Sequence, residues 1–259
     1  MSIQHQARKR FGQNFLEDSS VIANIIGAIA PKSDDALIEI GPGLGALTQP
    51  LLKKAPHLQA IELDYDLIPH LQALSPQLII HQADVLTVDF QSFVKEAQSL
   101  RIVGNLPYNI STPLIFHLLK QIHLIQDMHF MLQKEVVERM AAQPGSKDYG
   151  RLSIMVQYFC KVNYLFTVPP QAFKPAPKVE SAIVRLLPHA QLPYVTKDFQ
   201  QFSEMVRLAF GQRRKTLRNS LKTLVNDEQW NLLEINATLR PEQIALKDFV
   251  KIANFLSPS

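Results

Sequence analysis

The sequence predicts an α/β protein, an open and largely parallel sheet followed by a smaller all-helical region. Three observations carry this. From about residue 20, segments of strand and helix period alternate; a glycine-rich turn at 41–45 follows the first of those strands; beyond about residue 190, helical periodicity stands alone. At 259 residues the chain is long for a single core, so two unequal domains are expected, 1–190 and 191–259.

"SVIANIIGAIA" repeats apolar residues at helical spacing. "ALIEI" then reads as a strand, "LGALTQPLLKKA" as a helix, "LQAIELD" as a strand, "DLIPHLQAL" as a helix and "LIIHQAD" as a strand. Alternation at this spacing requires crossover connections, which make neighbouring strands parallel. "LRIVGN" is the next strand, and "STPLIFHLLKQI" a helix with Ser111 or Thr112 as cap and Pro113 in its first turn. "DMHFMLQ" gives a fifth strand, with "KEVVERMAA" helical behind it. After the polar "AAQPGSKDYG", "RLSIMVQYF" is helical, while "KVNYLFTV" and "SAIVRLLP" are later strands able to extend the sheet. The closing segments "DFQQFSEMVRLAF", "RRKTLRNSLKTLV", "DEQWNLLEI" and "PEQIALKDFVKIANFL" all carry helical periodicity.

With 46% hydrophobic and 19% charged residues the chain has an ordinary globular composition and no low-complexity tract. No apolar run approaches the roughly 18 residues of a membrane span, and the basic start "MSIQHQARKRFGQNF" lacks the apolar stretch of a secretory signal. A cytoplasmic protein with no membrane association is expected, with a short transit peptide as the competing reading of that start. The single cysteine, Cys160, leaves no internal disulfide and no cysteine-cluster metal site, and its apolar neighbours make it a small buried hydrophobe. No metal is expected. Two basic clusters dominate a net charge of only +4: Arg8, Lys9 and Arg10, and the stretch 207–222 with six basic residues and no acid. Such clusters suit phosphate, although solvated helix faces look similar.

The turn "GPGLG" places Gly41, Gly43 and Gly45 at the exit of the first strand, where an open α/β sheet binds ligands. About twenty residues on, Glu62 ends the second strand, placed to accept hydrogen bonds from a ribose diol. An adenosine-containing cofactor follows. Gly41-x-Gly43-x-x-Ala46 also satisfies the dinucleotide fingerprint, but Glu39 before the turn and Pro42 within it set this sequence apart. "E-x-G-x-G-x-G" resembles the first motif of S-adenosylmethionine-dependent methyltransferases, whose cofactor carries cationic groups and no pyrophosphate. Asp84, ending the third strand, fits that family's contact to the adenine amine; taken alone it is equally a loop cap.

"NLPY" closes the fourth strand on the same carboxyl edge. A base amino nitrogen is a poor nucleophile because its lone pair is delocalised into the ring. Two acceptors aimed at its hydrogens would localise that pair. Asn105 can offer its side-chain oxygen and Leu106 its carbonyl, while Pro107 keeps Leu106 out of helical geometry and adds no donor. Tyr108 offers a ring on which an extruded base can stack. The bland alternative, a proline turn opening a helix, explains Pro107 but not the glycine loop beside it.

"RKRFGQNFL", "EIGPGLG", "IELD", "NLPYNIS", "FKPAPKVESAIVRL" and "AFGQRRKTLRNSL", in this order, resemble the bacterial small-subunit ribosomal RNA adenine dimethyltransferase family, the kasugamycin-sensitivity methyltransferases. The resemblance implies a Rossmann-like methyltransferase domain with an N-terminal lid over 1–190 and a helical RNA- or ribosome-binding domain over 191–259. It implies transfer of four methyl groups from S-adenosylmethionine to two adjacent adenines in the 3′-terminal hairpin loop of small-subunit rRNA, late in subunit assembly. By position, Asn14 and Leu16 cover the cofactor, Gly41 meets its amino-acid part, Glu62 its ribose and Asp84 its adenine, Gly43 also binds it, and Asn105 lies between cofactor and target. Phe173 is similar to the aromatic that sandwiches the flipped adenine opposite Tyr108; a core aromatic is the other reading. Lys174, Lys178, Arg213, Arg214, Lys215 and Arg218, with the 8–10 cluster, would face phosphate.

Four alternatives compete: a large-subunit rRNA dimethyltransferase conferring antibiotic resistance, a DNA adenine methyltransferase, a non-catalytic assembly or transcription factor on the same fold, and a nicotinamide-dependent oxidoreductase. The partners implied are the small ribosomal subunit and its rRNA. A monomer is expected, since no heptad or long exposed apolar stripe is present.

Overall fold

The computed structural model describes residues 14–94, 98–212 and 214–257. A short strand β1 (Phe15–Leu16) precedes helix α1 (Ser19–Ile29), whose amino end is capped by the Asp18 carboxylate accepting from the Ser20 and Val21 amides. Strands β2 (Ala36–Ile40), β3 (Gln59–Glu62), β4 (Ile79–Gln82), β5 (Leu100–Asn105) and β6 (Ile125–Gln133) are joined through α2 (Thr48–Leu52), α3 (Ile68–Leu74) and α4 (Ser111–Leu119). Helices α5 (Lys134–Ala141) and α6 (Arg151–Phe159) follow. They lead to β7 (Cys160–Val168), the two-residue β8 (Phe173–Lys174) and β9 (Ser181–Pro188).

The main sheet has the order β4-β3-β2-β5-β6-β9-β7. Its first five strands pair in parallel, and β9 lies antiparallel against β6. Strands β2 and β5 are buried almost throughout, as both-faces-covered parallel strands must be, which explains their unbroken apolar runs. The chain runs outward from β2 to β4, then returns to place β5 on the other side of β2. The crevice between the carboxyl ends of β2 and β5 is therefore the topological switch point. The two strands approach closely there: a side chain at Gly104 would bring its Cβ within 2.5 Å of the Ile40 carbonyl.

Toward the amino ends of the same strands lies a paired ionic network. The Arg101 guanidinium takes Asp127 in a bidentate grip (Nε to Oδ1 2.9 Å, Nη2 to Oδ2 3.1 Å) and Asp35 at 2.6 Å. It also donates to the Ile29 and Ala30 carbonyls, closing the carboxyl end of α1. Arg185 adds a bond to Asp127 at 3.1 Å. Burial, reinforced by Arg101 and Arg185 and opposed by Asp127, holds neighbouring His129 below the usual imidazole range.

Three helix expectations change in the structure. The helix after β2 covers only Thr48–Leu52, because Gly43 and Gly45 hold positive φ, which an α-helix cannot accommodate. "DLIPHLQAL" divides into a 3₁₀ turn, Tyr65–Leu67, and α3. Ser111 is the first residue of α4 and not its cap; its hydroxyl turns back to the Tyr108 carbonyl at 3.0 Å.

By contact the chain forms two compact units. One holds the described residues up to Val137 together with Asn163–Pro188; the other holds Glu138–Val162 and the described residues from His189 onward. The sequence suggests one break near 190, but an earlier excursion of the chain joins the helical unit. Tyr158 of α6 stacks on Phe202 of α7 (Phe199–Ala209) with ring centroids 5.0 Å apart. The second unit also contains α8 (Leu217–Ser220), α9 (Asp227–Leu233) and α10 (Leu246–Leu256), with Phe202, Trp230 and Phe249 buried. Helix α8 is a remnant of the long helix expected over "RRKTLRNSLKTLV". The Leu217 and Arg218 amides instead donate to the Leu239 and Ala237 carbonyls at 2.8 and 2.9 Å, so tertiary bonds replace the helical ladder.

Cys160 is buried, and burial pushes its thiol up to about 12, in keeping with an inert core residue. Among the described residues no helix is long and apolar enough to cross a membrane.

Candidate active site

A cavity of about 310 Å³ opens at the carboxyl ends of β2, β3 and β5, within the first unit. The glycine turn forms one wall. Gly43 sits at φ +58°, and a Cβ there would press on the Phe15 ring at 3.3 Å, so glycine permits both the turn and the close cover by β1. That cover is fixed by pairing: β1 runs antiparallel to β8, with Phe15 opposite Lys174 and Leu16 opposite Phe173. Phe15–Leu16 and Phe173–Lys174, far apart in sequence, thus share a two-stranded sheet over the cavity.

Two acids define the floor. The Glu39 carboxylate is 2% exposed and accepts from the Thr48 hydroxyl at 2.7 Å. Burial pushes its pKa up to about 7, opposed by the Thr48 bond and reinforced by the charge of Glu62. Glu62 accepts from the Asp64 amide at 2.8 Å and the Gly43 amide at 3.2 Å. Burial raises its pKa too, against those amide bonds. The Leu63 amide also bonds this carboxylate, so three backbone amides hold it at the cavity wall. At the end of β4, Asp84 accepts from the Leu86 amide at 3.0 Å, so it is a loop cap and a cavity wall at once.

Glu39, Glu62 and Asp84 are the charged side chains lining the cavity; no Lys, Arg or His joins them among the described residues. Acids without a resident counter-charge suit a cationic ligand and repel a pyrophosphate. The residues therefore fit a sulfonium- and ammonium-bearing cofactor. Leu63, Val85, Leu86 and Ile110, which the sequence alone does not single out, add apolar wall for a flat heterocycle.

At the end of β5 the Asn105 Nδ2 donates to the Asn14 carbonyl at 3.2 Å, which leaves the carboxamide oxygen to face elsewhere. The Leu106 amide donates to Met131 at 3.1 Å, the Pro107 carbonyl accepts from Ile110 at 3.2 Å, and the Tyr108 carbonyl accepts from Ser111. These bonds fix the peptide plane before Leu106 and the two planes that follow Pro107. The Tyr108 hydroxyl lies 2.9 Å from the Ser181 hydroxyl, and burial raises its pKa, with the Ser181 bond opposing.

Asn14, Leu16, Gly41, Gly43, Glu62, Asp84, Asn105, Leu106, Pro107, Tyr108 and Phe173 all line this one cavity. Phe173 is 6% exposed and belongs to a buried cluster with Leu16, Val168 and Ile183, so it is a core aromatic that also borders the cavity. Lys174 and Lys178 are exposed on the first unit; Arg214 and Lys215 are exposed on the second, where Arg218 pairs with Asp227 at 2.7 Å. Arg8, Lys9, Arg10 and Arg213 lie outside the described residues. Sequence reading missed Ser181 and Thr48, whose partners lie 73 and 9 residues away and are brought near only by folding.

Comparison with known proteins agrees with this geometry. The family model described as "Ribosomal RNA adenine dimethylase" matches residues 4–257. "Ribosomal RNA small subunit methyltransferase A" of Marinobacter nauticus is 59% identical over 98% of this chain and 92% of its own. The protein of the same name from Coxiella burnetii is 57% identical over 96% of this chain and 98% of its own. Among solved structures, a dimethyladenosine transferase from Plasmodium falciparum superposes with TM-score 0.74 at 28% identity, covering 92% of this chain and 95% of that one. The 23S rRNA methyltransferase ErmE shares the fold, with TM-score 0.71 at 24% identity, over 94% of this chain and 99% of its own. With an acid-lined crevice beside an Asn-Leu-Pro-Tyr edge, and matched over nearly its whole length by one family, this chain is a member of the ribosomal RNA adenine dimethylases.

Proposed function

We propose that the protein transfers methyl groups from S-adenosylmethionine to the exocyclic amino groups of two adjacent adenines in the 3′-terminal hairpin loop of small-subunit rRNA, late in subunit assembly. When bound, the cofactor supplies an already activated methyl group. The chain contributes position and electrostatics. Glu39 and Glu62 complement the cofactor's positive charge and its ribose, Asp84 receives its adenine amine, and Asn14 and Leu16 close over it from β1.

The Asn105 oxygen and the Leu106 carbonyl accept the two amino hydrogens of the target. This turns the nitrogen lone pair toward the reacting methyl. Tyr108 and Phe173 take the faces of the extruded base. After transfer the nitrogen is cationic and acidic and loses its proton to water, so no buried general base is required. The observation that carries this reading is the Asn105 carboxamide, tied through its nitrogen to Asn14 beside a crevice whose charged side chains, among the described residues, are all acids.

Lys174, Lys178, Arg214, Lys215 and Arg218 supply salt-sensitive phosphate contacts, with the helical region from residue 191 serving as the ribosome-binding part. The protein works as a cytoplasmic monomer. The small subunit is favoured over the large because relatives 57–59% identical carry the small-subunit name, whereas the 23S enzyme shares only 24%.

The test is transfer of labelled methyl to undermethylated small subunits, with large subunits and DNA in parallel and base analysis of the product. Dimethyladenine confined to small-subunit RNA is the expected result. Binding without any transfer would assign the chain to non-catalytic assembly factors.

A further inference from the structure

A residue needed only to stack on a base requires a ring face, which phenylalanine also has. The hydroxyl of Tyr108 therefore needs its own account. It meets the hydroxyl of Ser181, a residue with 0% exposure at the start of β9, at 2.9 Å. Because β9 is antiparallel to β6, it delivers its amino end to the carboxyl edge of the parallel strands, with Ser181 opposite Gln133. That end is pinned: the Lys134 amide donates to the Glu180 carbonyl at 3.0 Å, and Lys134 Nζ meets the Glu180 carboxylate at 2.8 Å.

The other end of Tyr108 is fixed as firmly. Its carbonyl accepts from the hydroxyl of Ser111, itself 1% exposed, at 3.0 Å. Only two side-chain torsions separate a tyrosine backbone from its ring plane. With the backbone held by Ser111 and the phenol held by Ser181, both torsions are determined. The hydroxyl is thereby engaged away from the base, so Tyr108 meets the substrate with its face.

We propose that Ser181 is a positioning residue for methyl transfer: by holding the Tyr108 hydroxyl it fixes the plane on which the target adenine stacks, and so aims the amino nitrogen at the reacting methyl. This rests on the reading of Tyr108 as the stacking residue. A loosened ring lets the base swing, and misplacement of a reacting atom by about 1 Å costs up to about a hundredfold in rate.

The test compares Ser181→Ala, Tyr108→Phe, the double variant and Ser181→Thr in single-turnover transfer to undermethylated small subunits, with cofactor affinity measured separately at equilibrium. Each of the first two should slow transfer about tenfold while cofactor affinity stays within about twofold. The double variant should be no slower than the slower single, because both remove the same bond. Ser181→Thr, which keeps the hydroxyl, should recover most of the rate.

A parent-like rate in Ser181→Ala, multiplied losses in the double variant, or cofactor affinity falling in step with rate would each overturn the assignment. Tyr108→Phe deletes one oxygen from a half-buried ring, so it carries the test even if the Ser181 variants fold poorly; a full rate there would equally refute it. Failure of the parent protein to methylate rRNA adenine would refute the proposed function instead, which keeps the two failures apart.

Discussion

The two ends of the parallel strands treat buried charge in opposite ways. Near their amino ends Asp127 and Asp35 are matched by Arg101 and Arg185 within 2.6–3.1 Å, so the charge is balanced inside the protein. At their carboxyl ends Glu39 and Glu62 are 2% and 6% exposed and share a cavity with no basic side chain among the described residues. The first arrangement stabilises the fold and needs nothing more. The second carries a desolvation penalty that a cationic ligand relieves. Imbalance, rather than burial of charge as such, marks the working end of the sheet.

The largest effect should come from unbalancing the balanced end. Arg101→Leu leaves Asp127 and Asp35 short of their main partner and should cost about 3–5 kcal/mol of stability, measured by urea unfolding. A variant as stable as the parent would mean that the network is not the anchor described here. Next is Asn105→Ala at the carboxyl end. It should cut methyl transfer by about 10²–10³-fold, the scale of losing one preorganised polar group, with a near-parental unfolding midpoint. Retained transfer would remove Asn105 from the reaction.

Acidity separates the ends by sign. Glu39 holds its proton to about 7 in the fold against an ordinary 4.5, so between those pH values the folded state keeps a proton that the unfolded chain has lost. Its contribution to stability therefore falls as pH rises through that window, by an amount on the order of 3 kcal/mol. Glu62 is shifted the same way. His129, shifted downward, acts oppositely: the unfolded chain takes up its proton first, so this contribution falls as pH drops below about 6.5.

Glu39→Gln should accordingly make unfolding free energy rise more from pH 5 to pH 8 than in the parent. It should also weaken cofactor binding at pH 8, where the parent carboxylate is ionised. Identical pH profiles for variant and parent would show that Glu39 is not the titrating group. The smallest effect belongs to an exposed pair: Arg218→Ala breaks its bond to Asp227 and should cost no more than about 1 kcal/mol, while reducing the salt dependence of RNA binding. A loss as large as that of Arg101→Leu would erase the distinction between exposed and buried pairs.

The strands and the crevice were legible because their signals are local. Apolar runs of strand length, glycines where φ must be positive, and acids at strand ends are each set by a few adjacent residues. "ALIEI", "GPGLG", "IELD" and "NLPY" accordingly fall where expected. The helix expected over "RRKTLRNSLKTLV" was illegible for the converse reason, since the carbonyls that capture its amides come from residues 237 and 239. The same holds for the inclusion of Glu138–Val162 in the helical unit, where the ring of Tyr158 meets that of Phe202.

By itself, then, the sequence determined the α/β class, the succession of the main-sheet strands and the glycine turn, acids and Asn-Leu-Pro-Tyr edge that line much of the crevice, because backbone conformation and hydrophobic period are written in neighbouring residues. Only the tertiary structure decided that Ser181 reaches the Tyr108 hydroxyl, that β1 and β8 pair over the cavity, and that Arg101 answers Asp35 and Asp127. Each of these joins groups distant along the chain, and each depends on strand order and register, which no single segment encodes.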